Sequence, residues 1–473
     1  MGHRTRGVHP IALRGRLSVK VLVFLEHDII CRNFVMSGAL SALPTAADVK
    51  FVFPDAECKR MKVDPAALPL GAPFERLQVD STRQQIWQWL LFADQLRWRP
   101  GEQDRAIRRF RCRALGWKAA ALLTLAGLPG LSWFFRRQID LRLASRPNLA
   151  LAALLDRENP DVVLHPSVLE SVFMNDLVGA CAARRIPLVV AMNSWDNPST
   201  KRAVVGMPNL LLVWGPQTRE HARRYMSQPE AGPEEFGAAQ FDVFREPPRI
   251  TRADYCRQLG LNPARRLVLF AGSNAGIDEM GVIDALDEAV ASGGLPDVAI
   301  IYRPHPWGGG GRDGARLSTA EWRNVVVDPT MHDYIQSLTN DRTRISLPDA
   351  RDTHDLLSIA DVVVSPLSTI LLEAMLHGKK PIALIQSGST MTDILPFAHF
   401  KEFLELPSVG VAHSIDDLLA MFAAAPSPAV AAENAEIFKQ AATWFVRPFE
   451  RPWRERIVDR LAAVAATSKA ARA

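Results

Sequence analysis

Three stretches in the second half of the chain place small, cationic and hydroxyl residues at the ends of apolar runs. LVLFAGSNAG sets Gly272 and Ser273 directly after a β-rich segment. Small side chains there let backbone N–H groups approach an anion, although a strand followed by Gly-Ser is also a common turn. IIYRPHPW brings Arg303 and His305 to either side of a proline. A guanidinium grips phosphate oxygens through its planar fork and an imidazole donates to the same group; a rigid Pro-X-Pro turn with solvated polar residues is the plainer reading. The third stretch, DLLSIADVVVSPLSTILLEAMLHGKKPIAL (355–384), ends a strand at Ser365-Pro366, offers Ser368 and Thr369 where a helix begins, and puts Glu373 one turn in. A helix start with hydroxyls attracts phosphate, and a carboxylate a turn later accepts ribose hydroxyls. Capping explains Ser368 and Thr369 without a ligand. It explains Glu373 less well, because the surrounding LLEAML is apolar and a carboxylate there costs desolvation.

The first half carries a different set. NSWDNPSTK (193–201) follows the apolar run IPLVVAM and packs Trp195, Asp196, Asn197 and Lys201 into one loop. Trp195 has the shape to stack on a sugar, Asp196 can take a proton or orient a hydroxyl, and Lys201 can meet a phosphate. A turn followed by a helix cap is the alternative. FLEHD (24–28) ends another apolar run with Glu26, His27 and Asp28, and His165 ends a third. The candidates for a general base are the FLEHD group, with Asp28 foremost beside Glu26 and His27, then Asp196 and His165, each weighed against an ordinary cap, salt-bridge partner or satisfied core histidine. No DxD-type metal pair stands at a suitable strand end, so no metal and no cofactor is assigned; Arg303, His305 and a helix start can stabilise an anion without one.

These residues need strands to present them. Segments 19–26, 49–53, 162–165, 187–193 and 210–215 read as buried parallel strands separated by amphipathic helices, and 266–273, 298–304, 324–328, 344–348, 361–366 and 380–385 form a second series. Between them YMSQPEAGPEEFGAAQFDVFREPPRI is rich in Pro, Gly and Glu, as a hinge is. The pattern predicts an α/β protein of two doubly wound, Rossmann-like domains with parallel sheets, ligands lying at the carboxyl ends of the strands. The domain limits it implies are a loose basic leader over 1–17, a first domain over 18–228, a second over 229–432, and a C-terminal helical segment over 433–473.

With 473 residues, 48% of them apolar and 23% charged, the chain is an ordinary globular one rather than disordered or fibrous. Its five cysteines are scattered and show no CxxC or Cys/His spacing, which supports neither a disulfide framework nor a zinc site and fits a reducing, cytoplasmic compartment. The net charge of +5 is unevenly placed: residues 97–146 hold twelve Lys and Arg against three Asp and Glu, a local +9. Within them lie seventeen uncharged residues, 119–135, interrupted by Gly127, Pro129 and Gly130 and therefore not read as a membrane span. Flanking arginines with Trp117, Trp133 and Phe134 suit peripheral contact with anionic lipid; core helices with solvated arginine faces are the competing reading. No nucleic-acid-binding module is recognisable, and no nucleic-acid partner is assigned.

ADVVVSPLSTILLEAMLHGKKPIAL resembles the nucleotide-binding segment of GT-B glycosyltransferases and their relatives, including CDP-glycerol glycerophosphotransferases and UDP-N-acetylglucosamine epimerases. With PNLLLVWGPQTREHA, FGAAQFDVF and YRPHP, it is similar to glycosyltransferase-like proteins of bacterial surface-polysaccharide clusters, over most of 160–390. The resemblance implies a GT-B fold and a nucleotide-sugar donor in the second domain. Glu373 would then lie near the ribose, with Gly272, Arg303, His305, Ser368 and Thr369 near the phosphates, and Ser273 and Ser365 also on the donor-binding side. It also implies a last helix crossing back to the first domain. The loop after Asp28 resembles the first loop of those proteins, as the SWDN loop ending in Lys201 does another, which makes Arg32, Asn33, Trp195, Asn197 and Lys201 acceptor-side residues. Ser365-Pro366 stands where retaining enzymes often carry a second glutamate. The implied activity is metal-independent transfer of a sugar to a cell-surface polysaccharide or lipid-linked acceptor, at the inner membrane face. A CDP-polyol phosphotransferase and a non-catalytic partner subunit are the alternatives.

Overall fold

The computed structural model describes residues 18–55, 58, 61–201, 206–226, 232–273, 277–295, 297–305, 316, 317, 319–333, 347–386, 391–423 and 428–472. The basic leader lies outside them. Uninterrupted Val, Leu and Phe runs form the strands: β1 (Lys20–Phe24), β2 (Asp48–Pro54), β3 (Phe74–Leu77), β4 (Val162–Ser167), β5 (Leu188–Met192), β6 (Leu210–Val213) and β7 (Pro233–Glu235). They make one sheet in the order β3-β2-β1-β4-β5-β6-β7. A second sheet has the order β10-β9-β8-β11-β12-β13, from β8 (Arg266–Ala271), β9 (Val298–Arg303), β10 (Val325–Val327), β11 (Val362–Ser365), β12 (Lys380–Leu384) and β13 (Gly410–Ala412). Every pairing in both sheets is parallel. Both faces of each sheet are covered by apolar clusters, which is why these strands read as continuous rather than alternating apolar runs.

The sequence-predicted strands correspond to β1, β2, β4–β6 and β8–β12. Of the expected strand 344–348, residues 344–346 lie outside the described residues, and Leu347 and Pro348 are not in a strand. The expected domain edge at 228 needs correction: β7 pairs with β6, so the first sheet takes its last strand from beyond it. A 3-10 helix over Ala239–Arg245 follows and leads into the second domain.

Among the described residues, the helices that bear on the site include α1 (Ser81–Leu96), α2 (Glu102–Leu115), α3 (Trp117–Ala126), α4 (Leu131–Ser145), α5 (Ala350–Ile359), α6 (Ile370–Leu376), α7 (Ala398–Leu404), α8 (Pro428–Ala442) and α9 (Trp453–Arg472). α1 to α4 are inserted between β3 and β4. At the C-terminal end the crossing is not made by one helix from 433. α8 stays with the second domain, where Phe438 and Ala442 join its core, and α9 returns to the first, where Trp453, Ile457 and Leu461 enter that core. Asp242, in the linking 3-10 helix, receives the first amides of α9, from Trp453 N at 2.8 Å and Arg454 N at 3.2 Å.

Chain order reverses between β1 and β4 in the first sheet and between β8 and β11 in the second. A crevice opens at such a switch point, at the carboxyl ends of the strands. The two crevices face one another and form a single cleft.

Candidate functional site

The cleft has two adjoining lobes of about 590 and 560 Å³. Asp196, Lys201, His305, Ser368 and Thr369 border both. The larger lobe also touches Arg32, Gly272, Arg303 and Glu373. The smaller has a largely apolar wall, from Ile107 and Phe110 of α2 and Ile394, Phe397 and Phe400 of the second domain.

On the second-domain wall, Gly272 leaves β8 where no side chain fits. A Cβ there would stand 2.5 Å from Glu279 Oε2 and 3.0 Å from the His305 amide nitrogen. Glu279, fully buried, organises this corner by accepting from Ser273 N at 2.8 Å and from the Tyr302 hydroxyl at 2.7 Å. Gly272 N donates to Arg303 O at 2.8 Å. The amides expected to cradle an anion at 272 and 273 are therefore already committed within the protein, a correction to the sequence reading. The segment contributes closeness of approach instead.

Arg303, at the end of β9, is 5% exposed. Its guanidinium pairs with the buried Asp328 and donates to Thr353 Oγ1 at 2.9 Å, which fixes its plane at the edge of the larger lobe. Burial, with Arg32 nearby, pushes the His305 imidazole down to about 4, so it is a neutral donor or acceptor at physiological pH.

Glu373 lies on α6 between residues that face the core: Leu371, Leu372, Ala374 and Met375 are buried while Glu373 borders the cleft. Burial raises its carboxyl above the usual glutamate range, and the positive charges of Arg32 and Arg303 oppose that rise. Among the described residues none donates a hydrogen bond to this carboxylate. Capping does not account for the hydroxyl ahead of it either. Thr369 makes no side-chain bond to its own helix, and its Oγ1 accepts from Trp195 Nε1, across the cleft, at 3.3 Å.

The first-domain wall comes from the ends of β1, β4 and β5. Arg32 and Asn33 line it, and Asn33 Nδ2 donates to Asn193 Oδ1 at 3.0 Å, joining two strand ends. Asp196 borders both lobes, within reach of Thr200 Oγ1 at 3.2 Å. Asn197 turns its Oδ1 back to Ser194 N at 3.0 Å and shapes the loop. Lys201 Nζ lies 3.4 Å from Glu170, which also accepts from Arg111 of α2 at 2.8 Å and Gln95 of α1 at 2.9 Å. Glu170 and Arg111 are lining residues that strand-end reasoning did not select; the insertion supplies Arg111, and sequence spacing gives no sign that it returns to the cleft.

Four further expectations are corrected. Asp28 is buried, and its Oδ1 accepts from Lys62 N at 2.9 Å and Val63 N at 3.0 Å; it tethers a loop and borders neither lobe. From the same FLEHD group, His27 reaches the larger lobe. Its Nδ1 accepts from Ile29 N at 3.1 Å, so that nitrogen is committed within the protein and caps a helix start. His165 is fully buried, paired through Nε2 with Glu26, whose other oxygen accepts from Phe173 N at 3.0 Å. Ser365 is also fully buried, its Oγ without a hydrogen-bond partner among the described residues. Trp195 offers no open face for a sugar. It is 2% exposed and gripped edge-on by Phe400, Phe403 and Phe445, with ring centroids 5.9, 5.5 and 5.4 Å away.

The cleft thus gathers cations from both domains around one underused carboxylate, Glu373, and one proton acceptor, Asp196. That set can hold an anion, accept hydroxyl hydrogen bonds and receive a proton. No protein-family model matches the sequence, and no curated protein matches it either. Solved structures do match by shape. A protein assigned as a UDP-N-acetylglucosamine 2-epimerase from Listeria monocytogenes aligns over 93% of this chain and 95% of its own, with TM-score 0.52 and 14% identity. S. aureus MnaA, solved with UDP, aligns over 94% and 96%, with TM-score 0.50 and 12% identity. SnogD, a glycosyltransferase from Streptomyces nogalater, aligns over 95% and 99%, with TM-score 0.47 and 15% identity. At these identities the likeness is one of fold, and the chain has the GT-B architecture.

Proposed function

We propose that the protein is a nucleotide-sugar-dependent glycosyltransferase that acts without a metal ion, on a saccharide or lipid-linked acceptor of the cell envelope at the cytoplasmic face of the membrane. The observation that carries this reading is Glu373, a carboxylate in the cleft whose acceptors are met by no described residue, flanked electrostatically by Arg32 and Arg303. A ribose diol would donate to Glu373. The donor's diphosphate would lie toward Arg32, Arg303 and the His305 ring, beside the hydroxyl of Ser368 at the start of α6.

In the transfer step the acceptor hydroxyl bonds to the anomeric carbon while the bond from that carbon to the diphosphate oxygen breaks. The electron pair leaves with the diphosphate, where cations and neutral donors stabilise it. The hydroxyl proton passes to Asp196, the carboxylate of the proposed base set that borders both lobes.

The UDP bound to one structural neighbour makes uridine nucleotides the first probes. An epimerase is the second reading, favoured by the fold of the same neighbours. It needs room for one substrate, whereas the apolar lobe beside Asp196 supports a second. A polyol-phosphate transferase is the third. A thermal-shift screen of nucleoside diphosphates identifies the base, because a ligand of the folded state alone raises its unfolding temperature. Incubation with the matching nucleotide sugar then separates the readings: acceptor-dependent release of nucleoside diphosphate supports transfer. An epimerised nucleotide sugar without release, or CMP from a CDP-polyol, would overturn it.

A further inference from the structure

We propose that α3 and α4 form a docking surface for an anionic lipid bilayer. The two helices meet at a 99° bend, and no single described helix is long and apolar enough to cross a membrane. Each packs inward through few residues: Ala120 and Leu123 on α3, Ile139 and Leu143 on α4. The outward faces repeat one pattern. On α3, Lys118, Leu122 and Leu125 share the side opposite the buried pair; on α4, Phe134, Arg137 and Leu141 do. All six side chains are exposed. Trp117 and Trp133, at the starts of the helices, are 76% and 67% exposed, each beside a cation, Lys118 at 5.5 Å and Arg137 at 5.9 Å.

Apolar residues at helical spacing normally turn inward, and here they turn outward, so the face requires a cover. Its charge selects the cover. Lys118, Arg136, Arg137 and Arg142 are exposed and make no ion pair among the described residues, within a segment of local charge +9. A second copy meeting this face would be repelled, whereas a surface of anionic headgroups over an apolar layer meets both parts of the pattern. Tryptophans flanked by cations suit the headgroup boundary. The surface adjoins the cleft through α2, whose Phe110 and Arg111 line the smaller lobe, so docking would bring that lobe toward the lipid. This inference does not depend on which reaction the cleft performs.

The test is flotation of the full chain with vesicles of phosphatidylcholine alone and with about one third phosphatidylglycerol, at low and high salt. The wild type floats with the anionic vesicles at low salt and not with the neutral ones. Two variants outside the cleft, Trp117→Ser/Leu125→Ser/Phe134→Ser and Lys118→Glu/Arg137→Glu, each lose at least about tenfold in partitioning while unfolding cooperatively as the wild type does. Absence of wild-type flotation, or flotation of both variants at the wild-type level, overturns the proposal. So does a wild-type dimer that the apolar triple variant dissociates, since the face would then be covered by a second copy.

Discussion

Trp195 of the first domain donates its indole N–H to Thr369 Oγ1 of the second at 3.3 Å, beside the carboxylate-bearing helix α6. The ring itself lies in the second domain's core, among Phe403, Phe445 and Leu367. A loop that sequence reasoning reads as acceptor-binding is thus a peg that holds the two domains in register. Trp195→Phe keeps most of the packing and loses the bond, at about 1 kcal/mol. Trp195→Ala opens a cavity costing about 3–5 kcal/mol. Urea denaturation checks both; equal losses in the two variants would count against the peg.

The Arg303–Asp328 pair is buried on both sides. Removing one partner strands the other charge, so Asp328→Ala destabilises by about 3–5 kcal/mol. Thr353→Val, which removes a neutral acceptor, costs about 1 kcal/mol. Chemical denaturation of the two variants reads this ordering, and a loss for Asp328→Ala no larger than for Thr353→Val would contradict it.

Glu373 predicts a trade of stability against binding. Burial raises its folded-state value above the ordinary 4.5, so the neutral carboxyl favours the folded protein below that value. This contribution is lost as pH rises through the folded-state value, and at neutral pH the buried charge is a cost. Glu373→Gln therefore unfolds at a higher temperature than the wild type near pH 8, and the gap closes on acidification. A gap that is constant with pH would remove the titration argument.

Asp196→Asn lowers turnover about 10²–10⁴-fold, the range for loss of a general base, while nucleotide affinity stays near the wild-type value. Asp28→Asn weakens the tether to Lys62 and Val63 and lowers the unfolding temperature instead. Steady-state assay and thermal melts on both variants distinguish the roles. Undiminished turnover in Asp196→Asn would return the proton to another group.

Strand-end logic found the cleft because burial on both faces leaves an uninterrupted apolar run, and the residue after such a run has nowhere to go but the crevice. It missed β3, β7 and β13, which are edge strands of three or four residues with half-exposed side chains and little apolar signal. The same logic gives a residue's place and not its direction. Asp28 and Asp196 both follow strands, yet Asp28 turns back to the amides at 62 and 63. Trp195 is enclosed by rings at 400, 403 and 445, contacts that no local pattern announces. Gly272 was recognisable as small, but what demands smallness is Glu279, an acid seven residues on that reads as a helix start. Arg111 reaches the cleft from an insertion whose composition suggested only a basic surface.

As a nucleotide site, the larger lobe would contact the ribose through Glu373. Isothermal titration calorimetry of UDP into the wild type and into Glu373→Ala tests it most directly. Saturable binding to the wild type is expected, with at least about tenfold weaker binding to the variant, a loss of about 1.4 kcal/mol or more, and cooperative unfolding retained. Saturable binding of equal affinity in both proteins would contradict it.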